Sequence, residues 1–331
     1  MSKLKVLELF DGLGACTESL KNTKIDFEVV DYVEIDKFAV KSYNAMNDTN
    51  YIPQDIKEWD KDIDVDFIMH GSPCTDYSIA GKQEGGNENS GTRSSLMWET
   101  VRIIEKLNPK FVMWENVKNV LSKKHKHNFD RYISRLNDLG YTSYYKVLNT
   151  KNYGLPQNRE RVFCLSIKKE LDNKGFEFPK GQELKLKLGS ILEEEVDEKY
   201  YIKNERVNEL INRVKNDKKG VFPTKENTIT SALSSREHRG QGWKDISGTL
   251  CARDYKDPKV VCVSMPKESD CLQIRKLTPR ECWRLQGFSD EQFKKAEKVN
   301  SNSQLYKQAG NSISVPVLEE IFKQMIKLKY M

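Results

Sequence analysis

No apolar stretch in this chain approaches the roughly 20 residues needed to span a bilayer. The opening MSKLKVLELF runs into a short strand-like segment with no cleavable apolar leader before it. On those grounds a cytoplasmic protein is expected. Paired cysteines are missing too. Cys16, Cys74, Cys164, Cys251, Cys262, Cys271 and Cys282 are scattered without a C-x-x-C, and an odd count without a signal segment argues against a disulfide framework. Histidine is scarce, with 4 in the chain. The run KKHKH, Lys123 to His127, sets two of them two apart on a lysine-rich stretch, which reads as a solvated face rather than a zinc site. No internal repeat or low-complexity tract is found, and no metal is expected.

What remains is the composition of a globular protein. Of 331 residues, 37% are hydrophobic and 31% charged, enough for a large domain with a smaller companion and no need of a structural staple. The formal net charge of +6 is compatible with a polyanionic partner, although many proteins are this basic without one.

Short apolar runs alternate with amphipathic stretches through the first half. Residues 5–10, 27–33, 65–70 and 110–116 read as buried strands, and segments near 14–21, 36–46, 94–107 and 117–139 have helical spacing. The alternation predicts an α/β protein with a doubly wound, mainly parallel sheet and ligand sites at the strands' carboxyl ends. After RVFCLSIKK the texture turns polar, and 190–270 holds short, weakly periodic pieces, the mark of a second, smaller domain. Near the end, residues 315–330 form an amphipathic helix, with Val317, Leu318, Ile321, Met325 and Leu328 on one face, expected to pack back on the first domain.

Three kinds of chemistry-bearing residue fall at strand ends. LELFDGLGA (7–15) is a strand and glycine turn opening a helix, the geometry that brings backbone close to a nucleotide-like cofactor, although it lacks a full G-x-G-x-x-G. Glu34, some twenty residues on, is placed to accept hydrogen bonds from a ribose, and Asp55-Ile56 brings another acid near a strand end. These residues fit NAD or S-adenosylmethionine alike. Cys74 follows Pro73 where an apolar run stops. A cysteine attacks only as thiolate, which at an ordinary pKa near 8.5 is a few per cent of the population at neutral pH, so a neighbour must take up charge. Glu115 ends another buried strand, where an acid is costly without a partner or a task. Gln157, Arg159 and Arg161 share one face of an extended segment, and two arginines there can hold a carboxylate, a phosphate or a base edge.

In this order the motifs resemble those of the cytosine-C5 methyltransferases that act on DNA. FDGLGA, GSPC, GTRSSLMWE (91–99), ENV (115–117), QNRERVF (157–163), RKLTPRE (275–281) and QAGNSISVPV (308–317) follow the family order. Residues from about 182 to 270 lie outside the match, where that family keeps its variable target-recognition region. The resemblance implies a Rossmann-like S-adenosylmethionine-dependent fold, with 1–181 and 304–331 as catalytic domain and 182–303 as target-recognition domain. Phe10, Gly12, Leu13, Gly14, Glu34, Ile35, Asp55, Ile56, Pro73, Leu96 and Asn311 would hold the cofactor. Cys74 would add to C6 of cytosine, Glu115 would act at N3, Arg161 at O2, and Arg159 would support the loop carrying Cys74.

C6 lies within the duplex stack, so the resemblance also implies base flipping and a mobile lid over residues 75–93. Ser78, Lys82, Arg93, Gln157 and Ser312 are its expected DNA contacts, with Arg236, Arg239, Arg253 and Lys256 as candidate base or phosphate readers. Double-stranded DNA, a cognate restriction endonuclease as functional partner, and a monomeric state complete the expectation. The chain departs from the family at Ser72, Thr75 and Ala15, which puts some loop contacts in doubt and removes no reacting group. An RNA cytosine methyltransferase, an NAD-dependent oxidoreductase and an inactive DNA-binding relative remain the alternatives.

Overall fold

The computed structural model describes residues 3–78, 84–172, 175–202, 229–232, 242–256, 259–264 and 272–331. The chain forms two compact units, one of Met1–Leu148, Glu160–Gly181 and Ile313–Met331, the other of Asn149–Arg159 and Gln182–Ser312. The strands are β1 (Leu4–Leu9), β2 (Phe27–Val33), β3 (Phe67–His70), β4 (Phe111–Val117), β5 (Tyr141–Asn149), β6 (Glu160–Lys168), β7 (Ile229–Ala232), β8 (Gly242–Lys244), β9 (Lys259–Ser264) and β10 (Leu272–Lys276). The described α-helices are α1 (Ala15–Asn22), α2 (Lys37–Asn47), α3 (Met97–Leu107), α4 (Lys126–Asp138), α5 (Pro279–Arg284), α6 (Asp290–Glu297), α7 (Asn302–Asn311) and α8 (Val315–Lys327).

The first unit is an α/β sheet in the order β2-β1-β3-β4-β6-β5. β1 pairs in parallel with β2 and β3, and β3 with β4, whereas β6 runs antiparallel to β4. Strands buried on both faces read as continuous apolar runs, which is why FIMH in β3 is buried at every position. Val317, Leu318, Ile321 and Met325 bury as the sequence pattern predicts, while Leu328 lies past the helix end and is half-buried. α8 meets α1 through the Ser19 hydroxyl, which donates to the Val315 carbonyl at 3.1 Å, and Phe322 packs edge-on against Phe67 of β3.

The helix expected over 117–139 is shorter. β4 continues to Val117, a 3-10 turn spans Lys118–Leu121, and α4 begins only at Lys126. Ser122 turns the chain between them, its carbonyl accepting from the N–H groups of both His125 and Lys126.

The second unit is built on an antiparallel sheet in the order β10-β9-β7-β8. Its helices α5, α6 and α7 bury Trp283, Phe293 and Leu305. The RKLTPRE motif is a fold element here. Glu281 takes a two-pronged ion pair from Arg275 at 2.6 and 2.8 Å and closes a capping box with Thr278 at the start of α5. Residues 149–159 and 304–312, expected with the catalytic domain, belong to this unit. The reason is local: the Gln157 amide donates to the Leu285 carbonyl at 2.7 Å and accepts from the Leu250 N–H at 3.2 Å.

Candidate active site

The turn after β1 is conformationally costly. Phe10 adopts a left-handed φ of 58°, followed by Gly12 at 58° and Gly14 at 77°. A bulky side chain rarely occupies that region, and such outliers cluster where a binding surface imposes them. Phe10 is held there by its N–H, which donates to the Val33 carbonyl at 2.9 Å, and the Tyr32 hydroxyl donates to the Gly12 carbonyl at 2.5 Å. Gly14 is required on two counts: its φ, and Tyr43, whose ring would lie 2.5 Å from an added Cβ.

Glu34 follows directly on β2. Burial raises its pKa above the ordinary value, against the opposing pull of the N–H groups of Asp36, Ile35 and Gly12. Its backbone carbonyl accepts from Gln54, so the segment carrying Asp55 and Ile56 is tied to it. Asp55 caps its own turn by accepting from the Lys57 N–H at 3.0 Å. Ile56 and Leu13 are buried, whereas Ile35 is 58% exposed at the strand end. Glycine turn, half-buried acid and bare isoleucine therefore lie together. Below them sit Glu8 and Asp11, which the sequence reading passed over. Thr17 donates to Glu8 at 2.7 Å and the Cys16 N–H to Asp11 at 3.1 Å, and burial raises the pKa of both acids, that of Asp11 further because Glu8 lies beside it.

The turn after β3 and the end of β4 carry Cys74 and Glu115. None of the described cysteines Cys16, Cys74, Cys164, Cys251 and Cys282 forms a disulfide, and Cys74 is partly exposed. Its carbonyl accepts from the N–H groups of Tyr77 and Ser78 at 3.0 and 2.8 Å, which curls the chain into a tight turn after the thiol. Ser72 fixes the approach. Its hydroxyl accepts from the Trp114 indole at 2.9 Å and its carbonyl from the Asn116 amide at 3.0 Å. Trp114 and Asn116 flank Glu115, so the strand bearing the acid holds the chain two residues before the cysteine. Ser72, a departure from the family pattern, thus has a structural task that the sequence did not disclose.

Glu115 is 8% exposed and pairs with Arg161, Nε to Oε1, at 3.1 Å. The register explains the contact. Glu115 faces Phe163 and Val117 faces Arg161 across antiparallel β4 and β6, so acid and guanidinium are diagonal neighbours on one face, within reach of long side chains. The returning half of the cysteine loop is clasped to its start, since Asp76 and Ser94 exchange hydrogen bonds at 3.0 Å each. Arg93 is exposed, Leu96 half-buried, and Pro73 partly exposed beside Cys74.

Other expected site residues lie in the second unit. Arg159 is 2% exposed, and its guanidinium donates to the carbonyls of Leu250 at 3.0 Å, Gly310 at 3.3 Å and Ser312 at 2.6 Å. Gln157 was expected at DNA; that assignment is corrected, because the side chain is fully buried and both ends of its amide are engaged by main chain. Asn311 is exposed, Ser312 buried, and Arg253 and Lys256 project to solvent. Lys82, Arg236 and Arg239 lie outside the described residues.

A profile described as C-5 cytosine-specific DNA methylase matches residues 4–327. Type II methyltransferase M2.ScrFI of Lactococcus lactis subsp. cremoris is 42% identical over 264 residues, covering 80% of this chain and 67% of that one. Orphan methyltransferase M.SPBetaI of Bacillus phage SPbeta is 30% identical and covers 98% of each chain. Among solved structures, the Entamoeba histolytica methyltransferase EhMeth shares the fold, with a TM-score of 0.72, 17% identity and 99% of each chain covered.

Proposed function

This chain belongs to the C-5 cytosine-specific DNA methylases, and from that premise we propose that it methylates C5 of a cytosine turned out of the duplex within a short DNA motif, through a covalent bond from Cys74 to C6. The residues around the glycine turn fit S-adenosylmethionine as methyl donor. Left-handed Phe10 and Gly14 open the backbone, Glu34 is a half-buried acid suited to ribose hydroxyls, and exposed Ile35 offers apolar surface to a purine ring. When bound, this group supplies a methyl made electrophilic by its sulfonium.

The residues of the chain account for the rest. The Cys74 thiolate adds to C6, and the ring electrons displaced by that bond are drawn toward N3, where Glu115 supplies a proton or a strong hydrogen bond. Arg161 holds the O2 side of the base and, by its ion pair, the Glu115 carboxyl. C5, now nucleophilic, takes the methyl group. Loss of the C5 proton to a base then re-forms the C5–C6 double bond and expels the thiolate.

The observation that carries the reading is the link between Ser72 and the strand bearing Glu115, reinforced by the 3.1 Å pair of Glu115 with Arg161. In the second unit, the exposed Arg253 and Lys256 are available to read bases or phosphates. The proposal extends to a monomer acting on double-stranded DNA in the cytoplasm, with a cognate restriction endonuclease as functional partner. The test is expression in a host lacking cytosine methylation, with 5-methylcytosine mapped at single-base resolution in DNA and RNA. Methylation confined to one short DNA motif, lost in Cys74→Ser, is expected. Methylation in RNA, or an active Cys74→Ser, overturns the reading.

A further inference from the structure

The lysine-rich run that reads in the sequence as a solvated face has a specific place in the fold. Residues 118–125 form the connection from β4 to α4, at the strand ends where β3 delivers Cys74. Two hydrogen bonds join this connection and the first turn of α4 to the cysteine loop. The Asn119 amide donates to the Tyr77 carbonyl at 2.6 Å, and the His127 ring shares a bond with the Asn87 side chain at 2.9 Å. The turn therefore borders both limbs of the segment that follows the nucleophile.

Its electrostatics run against helix physics. The amino end of a helix carries the positive pole of the macrodipole, and acids there stabilise whereas cations destabilise. The first turn of α4 has no acid. Lys126 and His127 open it, and Lys123 and Lys124 precede its cap His125, all four exposed. Lys126 pairs with Asp130, but among the described residues no acid pairs with Lys123 or Lys124. The charge is felt locally, since burial, then Lys124 and His127, lower the pKa of His125.

A second, independent observation lies at the same helix start. His125 and Asn128 are 1% and 0% exposed, yet among the described residues His125 Nε2 and both amide atoms of Asn128 have no hydrogen-bond partner. The exposed lysines thus flank a helix amino terminus, where the macrodipole and free backbone N–H groups favour an anion, and the buried polar pair beneath them packs against Tyr77 and Gly85 of the cysteine loop.

We infer that the Lys123–His127 turn is a phosphate-binding surface that grips the DNA backbone beside the flipped cytosine. The inference rests on the proposed function for its ligand and adds to it a contact outside the reacting groups. Lys123 and Lys124 each neutralise one phosphate. Each such contact contributes about 0.9 to the slope of log affinity against log salt.

The test is DNA binding by fluorescence anisotropy across a series of salt concentrations. Lys123→Ala/Lys124→Ala lowers the slope by about 2 and the low-salt affinity by about tenfold or more, and Lys123→Arg/Lys124→Arg restores both. Lys3→Ala/Lys110→Ala, which removes two lysines ahead of β1 and β4 on the opposite sheet edge, leaves the slope as in the parent. An unchanged slope in the first variant, or an equal fall in the control, overturns the inference while the parent's covalent trapping of 5-fluorocytosine DNA still upholds the function. A parent that neither binds nor traps DNA overturns both.

Discussion

His70 ends β3 four residues before Cys74, fully buried, with Nε2 2.9 Å from the Tyr132 hydroxyl. Burial lowers its pKa to about 3. The unfolded chain takes up that proton near pH 6.5, the folded protein only near pH 3, so between those values the unfolded state binds more protons. Stability therefore falls as pH falls through this window, by about 1.4 kcal/mol for each unit at full effect. Glu8 and Asp11 act with the opposite sign. Their raised folded pKa values keep protons on the native state as pH rises past the ordinary carboxylate range, so they penalise high pH and cannot produce acid lability. The melting temperature of the parent should accordingly drop between pH 7 and 4.5, and that of His70→Gln should drop less. Equal slopes in the two proteins would assign the lability elsewhere.

Among the elements, β3 and β4 act as one device. The apolar runs that form them were legible because strands covered on both faces need no polar alternation. Their carboxyl-end residues, Cys74 and Glu115, were legible because an acid or thiol closing such a run is conspicuous. The brace between them was not, because Ser72, Trp114 and Asn116 come together only through strand pairing, and a serine before a proline announces nothing. The start of α4 was misplaced for a similar reason: helical spacing persists through 117–125, while the chain is claimed by the Ser122 turn. Ser72→Ala leaves the buried Trp114 N–H without its acceptor, a loss of about 1–3 kcal/mol. It should also slow covalent addition to 5-fluorocytosine DNA while S-adenosylmethionine affinity stays near that of the parent. A lowered melting temperature with an unaltered trapping rate would reduce Ser72 to a stability role.

For the molecule as a whole, the two units were unequally readable. The first is specified by long runs with local connections, whereas the second depends on antiparallel pairing of short strands and on a buried ion pair, Arg275 with Glu281, whose partners look like surface residues in sequence. Gln157 was misread on the same ground, since polar type and alternation predicted contact with a ligand and the fold gave it to main chain. That feature has a consequence for specificity. Gln157 and Arg159 bond the backbone of Leu250, Leu285, Gly310 and Ser312, groups that any replacement sequence with the same fold supplies. Exchange of residues 182–303 for the corresponding segment of M.SPBetaI, with 149–159 retained, should therefore give a folded protein. Its methylated motif, mapped in genomic DNA, should change, while trapping through Cys74 persists. An unchanged motif in an active chimera would place the base readers outside residues 182–303 instead.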